Sequence, residues 1–369
     1  MLFVELIQGL VVVGGAVYIA SVVWLLCGLY RLMAERSETA LPSLTIVVAA
    51  RNEEVVLEGC LEALKKQDYE GEWEVVLVDD RSEDGTAAIG AAWMNQWDRL
   101  RTVRAPDKPT FACPKKSALA VGIALAKGKI LLFTDADCRP PSDWARRTAA
   151  CFMPDVGLVA GHAHTLEGTS LIQRVLSVEN SAVGALGAGS FAQGRPLSCT
   201  GRNLAYRKSV YESVGGFAPI GHMMGGDDVY FMRLVAKERL WKMVWNPDVI
   251  VESLPASSCW SAVVQQKMRH AAKGGHYQGP ALLLAVGVYA FHLGLAAALF
   301  GFWLGASGLN VLWPIWFVRW AVDALLLHRM RQGSFGSWLP FFPLVEVLYI
   351  PYVVLMAPAG RLGLFRWKD

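Results

Sequence analysis

The sequence predicts an α/β domain with a mainly parallel, Rossmann-like sheet, set between membrane-spanning helices at both ends of the chain. Three observations carry that prediction. Hydrophobic residues fill 54% of the 369 positions and charged ones only 18%, against about a quarter charged in a soluble domain. The apolar excess is confined to Leu2–Leu32, Leu282–Gly305, Leu309–Leu327 and Leu339–Ala359, which leaves ordinary mixed sequence from Met33 to about Lys267. Within that middle, short Val- and Leu-rich runs alternate with helix-spaced segments, the order of a parallel sheet. The chain therefore divides into an N-terminal membrane anchor at 1–33, an α/β domain at 41–255 and a segment approaching the membrane at 256–280. A C-terminal membrane region follows at 281–360, two helices plus a proline-broken segment, and then a basic tail at 361–369.

The first apolar stretch exceeds the roughly 20 residues a span needs, with Glu5 its only acidic residue before Arg31. A cleaved signal peptide fits poorly, because no basic region precedes the stretch and no small-residue cleavage site precedes Arg31. Arg31 and Arg36 follow this anchor, and Lys267, Arg269 and Lys273 precede the next span. The positive-inside rule then places the central domain in the cytoplasm of a multi-pass inner-membrane protein, with the N-terminus outside. Leu282–Gly305 and Leu309–Leu327, joined by Ala306-Ser307-Gly308 and followed by His328, Arg329 and Arg331, read as a transmembrane hairpin. Arg319 and Asp323, four apart, share a helix face and read as a structural ion pair rather than a transport site. The last stretch carries Pro340, Pro343, Glu346, Pro351 and Pro358. It fits either one span, with Arg361, Arg366 and Lys368 outside, or a broken or re-entrant segment. Several of the 14 Trp, such as Trp313, Trp316 and Trp367, stand at span ends, where indole rings anchor at the interface.

In the middle domain, Leu44–Ala50 and Trp73–Val78 read as buried strands, and Val55–Lys66 as the helix between them, with Cys60, Leu61 and Leu64 on one face. Ser117–Ala126 and Ile130–Thr134 repeat the helix-then-strand order. Such sheets bind ligands beyond the carboxyl ends of their strands. The polar clusters Arg51-Asn52-Glu53-Glu54, Asp79-Asp80-Arg81-Ser82 and Asp135-Ala136-Asp137 all follow strands directly. No GxGxxG or GxxxxGK[ST] turn stands there, which excludes a typical dinucleotide fold and a P-loop. Lys and Arg number 35 against 32 Asp and Glu, with no basic run, so nucleic acid is excluded as a partner. Seven cysteines without a CxxC pair read as free or buried thiols of a reducing compartment. Leu171–Leu186 aligns Leu171, Val175 and Val178 on one side with Arg174 and Glu179 nearby, which suits core packing and a membrane-surface helix equally.

Two carboxylates spaced as Asp135 and Asp137 are can approach one hard cation, Mg²⁺ or Mn²⁺, leaving positions open for phosphate oxygens. Polar pairs at strand ends also serve simply as turn formers. Asp227-Asp228 follows Gly225-Gly226 and precedes an apolar helix from Val229; one of them suffices as the helix cap, which leaves the other for catalysis. His162, His164, His222 and His276 are dispersed, without an HExxH, and read as structural.

In order, AARNEE (49–54), VLVDDRSEDGT (76–86), KKSALAVGIALAKGKILLFTDADC (115–138), CTGRNLAYRKSVYESVGGF (199–217), GGDDVYF (225–231) and QKMRH (266–270) resemble a family 2 inverting glycosyltransferase with a GT-A fold. The resemblance runs from about Leu44 to Lys273, and the flanking spans are similar to those of ceramide glucosyltransferase-like and polysaccharide-synthase members. It implies that Arg51, Glu53 and Asp80, with Asp79 beside it, hold the nucleoside, Asp80 facing the uracil N–H. It implies that Lys115, with Lys116 a close second, meets the diphosphate, and that Asp135 and Asp137 hold Mg²⁺ or Mn²⁺ against it, Asp137 as the direct ligand. Asp228 matches the general base, with Asp227 in place of the family's Glu. Gln266 and Arg269 match QxxRW, the arginine supporting the leaving diphosphate, while His270 stands where the family has Trp. Gly201 and His270 are expected on the acceptor side. A UDP-sugar is the implied donor and a membrane lipid hydroxyl the favoured acceptor, the enzyme being non-processive. A processive polysaccharide synthase, a polyprenyl-phosphate acceptor and, in another class, a transporter or nucleotide-binding structural protein stay open beside it.

Overall fold

The computed structural model describes residues 2–33, 36, 41–255, 257–272, 280–305, 312–331 and 338–364. The expectations for Lys273, His276, Ala306-Ser307-Gly308, Arg366, Trp367 and Lys368 lie outside the described residues. Two compact units emerge: Arg31–Leu166 with Ser190–Leu254, and Met1–Tyr30 with Glu167–Gly189 and Pro255–Asp369.

The first unit is an eight-stranded mixed sheet. Its strands are β1 (Leu44–Ala50), β2 (Trp73–Asp79), β3 (Leu100–Arg104), β4 (Ile130–Asp135), β5 (Cys138–Arg139), β6 (Val156–Thr165), β7 (Leu204–Arg207) and β8 (Lys242–Ser253), in the order β3-β2-β1-β4-β7-β6-β8-β5. β1 pairs in parallel with β2 and β4, and β2 with β3, whereas β7 runs antiparallel to both β4 and β6. The expected parallel half is thus present, and its central strands are buried along nearly their whole length, as a sheet covered on both faces requires. Ile46, Val48, Val75, Leu77 and Leu132 fill one face and Val76, Val78 and Ala118 the other. Each of these Val, Leu and Ile side chains contributes roughly 1.5–3 kcal/mol by leaving water.

The chain's helices are α1 (Leu2–Arg31), α2 (Leu57–Lys65), α3 (Thr86–Met94), α4 (Pro114–Leu125), α5 (Trp144–Ala150), α6 (Leu171–Ala192), α7 (Lys208–Ser213), α8 (Val229–Glu238), α9 (Trp260–Ala272), α10 (Pro280–Trp303), α11 (Leu312–Met330) and α12 (Phe342–Arg361). α2 buries Leu57, Cys60, Leu61 and Leu64 at helical spacing. α4 opens on Pro114, where a missing N–H costs nothing. Its Gly122 brings the helix so close to the sheet that a Cβ there would stand 2.6 Å from Val47 Cγ1, and a larger residue would lift α4, with Lys115, off the strands.

The second unit is helical. α1, Ala281–Trp303 of α10 and Leu339–Arg361, which contains α12, are long and apolar enough to cross a membrane. α10 pairs with α11 head to tail, with Phe302 and Trp313 ring to ring at 6.0 Å. Arg319 of α11 is wholly buried, 3.5 Å from Asp323 and 2.8 Å from Glu346 of α12, and Tyr18 of α1 donates to Asp323 at 2.9 Å. Glu346, from another helix, is a third partner that i,i+4 spacing does not show. Where the sequence suggested a proline-broken segment, α12 is one helix with Pro351 and Pro358 inside it. Val178 of α6 packs with Leu327, Trp338, Phe342 and Val345, and Glu179 pairs with Lys267 of α9. α6 therefore buries one face within this unit.

Candidate active site

Because β2, β1 and β4 are neighbours in register, with Ala50 beside Asp79 and Ala49 beside Asp135, their carboxyl ends deliver three polar clusters to one edge. The loops after β1 and β2 are tied together: Asn52 N donates to Ser82 Oγ (3.0 Å), Glu83 N to Asn52 Oδ1 (2.9 Å) and Glu53 N to Thr86 Oγ1 (2.8 Å). Asn52 and Arg81 both hold positive φ, 56° and 59°, a conformation that costs a non-glycine residue energy and recurs at functional sites.

Asp79 and Asp80 divide the work. Asp79 is buried, accepts Ser82 N at 3.0 Å and pairs with Arg104 at 3.1 Å, so its carboxylate builds the turn. Asp80 is buried against Arg81. Burial pushes its carboxyl above the ordinary range, while the charges of Arg81 and Arg51 act against the shift. Arg51 Nε is buried without a hydrogen-bond partner, a donor an incoming group could satisfy.

Lys115 and Lys116 also separate. Lys115 Nζ lies 2.6 Å from Asp135 Oδ1 and 3.6 Å from Asp227 Oδ2. Burial alone would lower its pKa, but the charges of Asp135 and Asp227 outweigh it and hold the ammonium well above the lysine range. The wholly buried Lys116 donates to the carbonyls of Ile220 (2.7 Å) and Met223 (2.9 Å). It is a strut under the loop before α8, which sets it aside as a diphosphate ligand.

Around Lys115 lies a cleft lined also by Thr134, Asp135, Gly201, Tyr206 and Asp227. A Cβ at Gly201 would stand 3.1 Å from Asp227 Oδ2, so this glycine keeps the wall beside the carboxylate open. Asp137 sits one turn on, where burial, then the charge of Asp135, pushes its carboxyl up. Two carboxylates that repel each other and offer only hard oxygens fit a divalent cation. Among the described residues no group of three or more His, Cys, Asp or Glu could hold a metal ion, so the remaining ligands would come from substrate oxygens or water.

Gly225 and Gly226, both at φ 72°, turn the chain into α8. Asp227 then faces the cleft, and Asp228 is the N-cap, its Oδ1 accepting Val229 N at 2.6 Å. Asp228 thus does have the capping role weighed for it, and its charge also acts on Lys115. Gln266, Arg269 and His270 lie on α9, in the helical unit. His162 and His164 are on β6 with rings 6.0 Å apart, and His222 is exposed in a loop.

Two residues gained importance only in three dimensions. Arg202 donates to Thr165 Oγ1 (3.1 Å) and Ser253 Oγ (2.6 Å), and its charge opposes the upward shift of Asp137. Tyr206 floors the cleft, 4.6 Å from Phe133 and 4.4 Å from Phe231 by ring centroid. The GRN and LAY triplets hold both, but only the strand pairing of β7 with β4 brings them to the edge.

This sheet is that of the GT-A fold, and its carboxyl edge carries Asp135 and Asp137 after β4 and the paired acids that open α8. Residues 45–215 match Glycosyl transferase family 2. It is 26% identical over 216 residues to glycosyltransferase AglE of Haloferax volcanii, covering 58% of this chain and 67% of AglE. It is 34% identical over 122 residues to the β-monoglucosyldiacylglycerol synthase of Trichormus variabilis, covering 32% of this chain and 26% of that enzyme. The chain thus spans two thirds of one relative and about a quarter of the other. In fold it matches the mannosyltransferase PcManGT of Pyrobaculum calidifontis, solved with GDP-Man and Mn²⁺, at TM-score 0.67 and 20% identity over 96% of this chain and 99% of that one.

Proposed function

We propose that the chain is a multi-pass inner-membrane enzyme that transfers single sugars, with inversion, from a nucleotide sugar to a hydroxyl of a membrane lipid, its α/β unit facing the cytoplasm. The observation that carries this reading is Lys115 bridging Asp135 and Asp227 in a cleft at the carboxyl edge of the sheet. Breaking a sugar's bond to a nucleoside diphosphate builds negative charge on the leaving group, and fixed positive charge there stabilises it. Lys115 supplies such charge, and Arg269 joins it on the strength of its sequence motif. Mg²⁺ or Mn²⁺ held by Asp135 and Asp137 would add a second source of charge against the diphosphate.

Asp80 and Arg51 would receive the nucleoside, and a uracil N–H suits the Asp80 carboxylate. Asp228 would take the acceptor's proton as its oxygen attacks the anomeric carbon opposite the leaving group, so no enzyme nucleophile is required. Asp227, tied to Lys115, would hold the two halves of the site together. The three helices among the described residues that are long and apolar enough to cross a membrane and the diacylglycerol named in one relative support the lipid acceptor.

The test is purified protein in lipid vesicles, offered UDP- and GDP-sugars with a lipid extract. Release of UDP from one donor together with a lipid carrying a single sugar is expected. A ladder of lengthening products would overturn the non-processive reading, and no acceptor-dependent nucleotide release from any donor would overturn transfer to lipid.

A further inference from the structure

We propose that Arg202 is a positioning residue for the Asp135–Asp137 pair: it braces the turn that carries both carboxylates and so holds them at the spacing one divalent cation needs. The inference rests on the reading above that these two residues hold Mg²⁺ or Mn²⁺. β4 ends at Asp135, and after only Ala136 and Asp137 the chain pairs, at Cys138, with Ser253 at the end of β8. The turn is thus entered from one strand and left beside another, and the separation of its carboxylates depends on how those two strand ends are tied.

Arg202 ties both. On the entry side its carbonyl accepts Thr134 Oγ1 at 3.0 Å, from the residue just before Asp135. On the exit side its guanidinium donates to Ser253 Oγ at 2.6 Å. Ser253 stands opposite Cys138 in the ladder, and the next residue, Leu254, donates its N–H to the Asp137 carbonyl at 3.1 Å. One residue therefore reaches the turn through its backbone at one end and through its side chain at the other.

The brace has a rigid footing. Arg202 Nε donates to Thr200 Oγ1 at 3.4 Å, and Nη1 also donates to Thr165 Oγ1 at 3.1 Å, where β6 ends. Ser253 Oγ donates in turn to Thr165 Oγ1 at 3.3 Å. The neighbouring Asn203 is buried; it donates to the carbonyls of His162 (2.9 Å) and Val249 (3.3 Å) and accepts Trp144 Nε1 (3.0 Å). These bonds fix the turn Gly201–Asn203 to β6 and β8.

Charge makes Arg202 more than a clamp on the sheet. Its side-chain partners are all neutral hydroxyls, so its positive charge reaches Asp137 without occupying a carboxylate oxygen that a cation would use. Two carboxylates held close repel each other until a cation arrives, and a fixed positive charge beside them eases that repulsion. Ligands already in place bind more tightly than ligands that must be drawn together. Groups that orient metal ligands without touching the metal are typically worth about 10- to 100-fold in affinity.

The experiment titrates Mn²⁺ into full-length protein in detergent with saturating UDP or GDP, whichever the wild type binds, and reads bound Mn²⁺ by electron paramagnetic resonance. Arg202→Met should raise the half-saturating Mn²⁺ concentration about 10-fold or more, with its thermal midpoint in EDTA close to wild type. Ser253→Ala, which removes only the hydroxyl linking the guanidinium to the far side of the turn, should shift Mn²⁺ binding in the same direction and reads the same link if Arg202→Met fails to fold. Wild-type Mn²⁺ affinity in folded Arg202→Met, or in Ser253→Ala should the first not fold, would overturn the proposal alone. A loss of metal-free stability accompanying the loss of Mn²⁺ affinity in both variants would make Arg202 a structural clamp and overturn it too. Absence of bound Mn²⁺ in the wild type would overturn the metal reading, and this proposal with it.

Discussion

The two units of the chain handle charge in opposite ways. In the α/β unit, Asp79, Asp80, Asp135, Asp137, Asp227 and Asp228 all stand at strand ends or a helix start: Asp79 and Asp228 accept turn amides, Asp80 pairs with Arg81, and Lys115 joins Asp135 to Asp227. In the helical unit, Arg319, Asp323 and Glu346 are buried and pair with one another, and Tyr18 donates to Asp323. Charges at a sheet edge are available to a substrate, whereas charges locked in a helical core hold elements in register. Substitutions in the first place should cost reaction, and in the second, fold.

That contrast breaks first under chelation. Removing divalent cations with EDTA should abolish transfer while leaving thermal stability unchanged, and added Mg²⁺ or Mn²⁺ should restore it; full activity in metal-free enzyme would contradict the role of Asp135 and Asp137. Next comes Arg319→Met, which leaves two buried carboxylates unpaired and should cost about 3–5 kcal/mol of stability. Thermal unfolding in detergent reads this, and adding Asp323→Asn and Glu346→Gln should recover much of the loss.

Thiol reactivity sharpens the comparison more gently. Burial pushes Cys60 up to about 12, whereas hydrogen bonds from Ser261 draw the exposed Cys259 below the ordinary thiol value. Iodoacetamide at pH 8, read by peptide mass, should therefore modify Cys259 and spare Cys60 in the folded protein. The smallest effect belongs to the exposed pair Arg146–Asp68, 2.9 Å apart. Arg146→Ala should change stability by about 0.5 kcal/mol or less.

Much of the α/β unit was legible in the sequence because buried parallel strands are written as unbroken Val and Leu runs, and because a polar cluster after such a run marks the binding edge. What was not legible depended on pairing between distant segments. The sequence offers Lys115 and Lys116 as equals, and only the loop carbonyls of Ile220 and Met223 commit the second to a structural role. Asp79 and Asp80 likewise look alike until Arg104 claims one and Arg81 the other. Helix α2 begins two residues later than its apolar spacing suggested, since Glu53 O already accepts Val56 N and Leu57 N in the preceding turn. In the helical unit hydropathy marked the apolar stretches, but depth is a tertiary property. The partners of α12 are tertiary too: Glu346 meets Arg319 of α11, Tyr349 lies 5.2 Å from His292 of α10, and Gly360 rests on α9.

The central claim is that the carboxylates at the strand ends and at the start of α8 perform chemistry, and Asp228 tests it most directly. As a helix cap, Asn serves about as well as Asp, so Asp228→Asn should leave donor binding and thermal stability near wild type. Loss of a positioned base costs 10²- to 10⁴-fold in rate, roughly 3–5 kcal/mol of transition-state stabilisation. Calorimetric titration with the donor, set beside the rate of sugar transfer, should therefore show intact binding and transfer reduced by at least about 10²-fold. Transfer at near wild-type rate would make Asp228 a cap alone and move the base to Asp227.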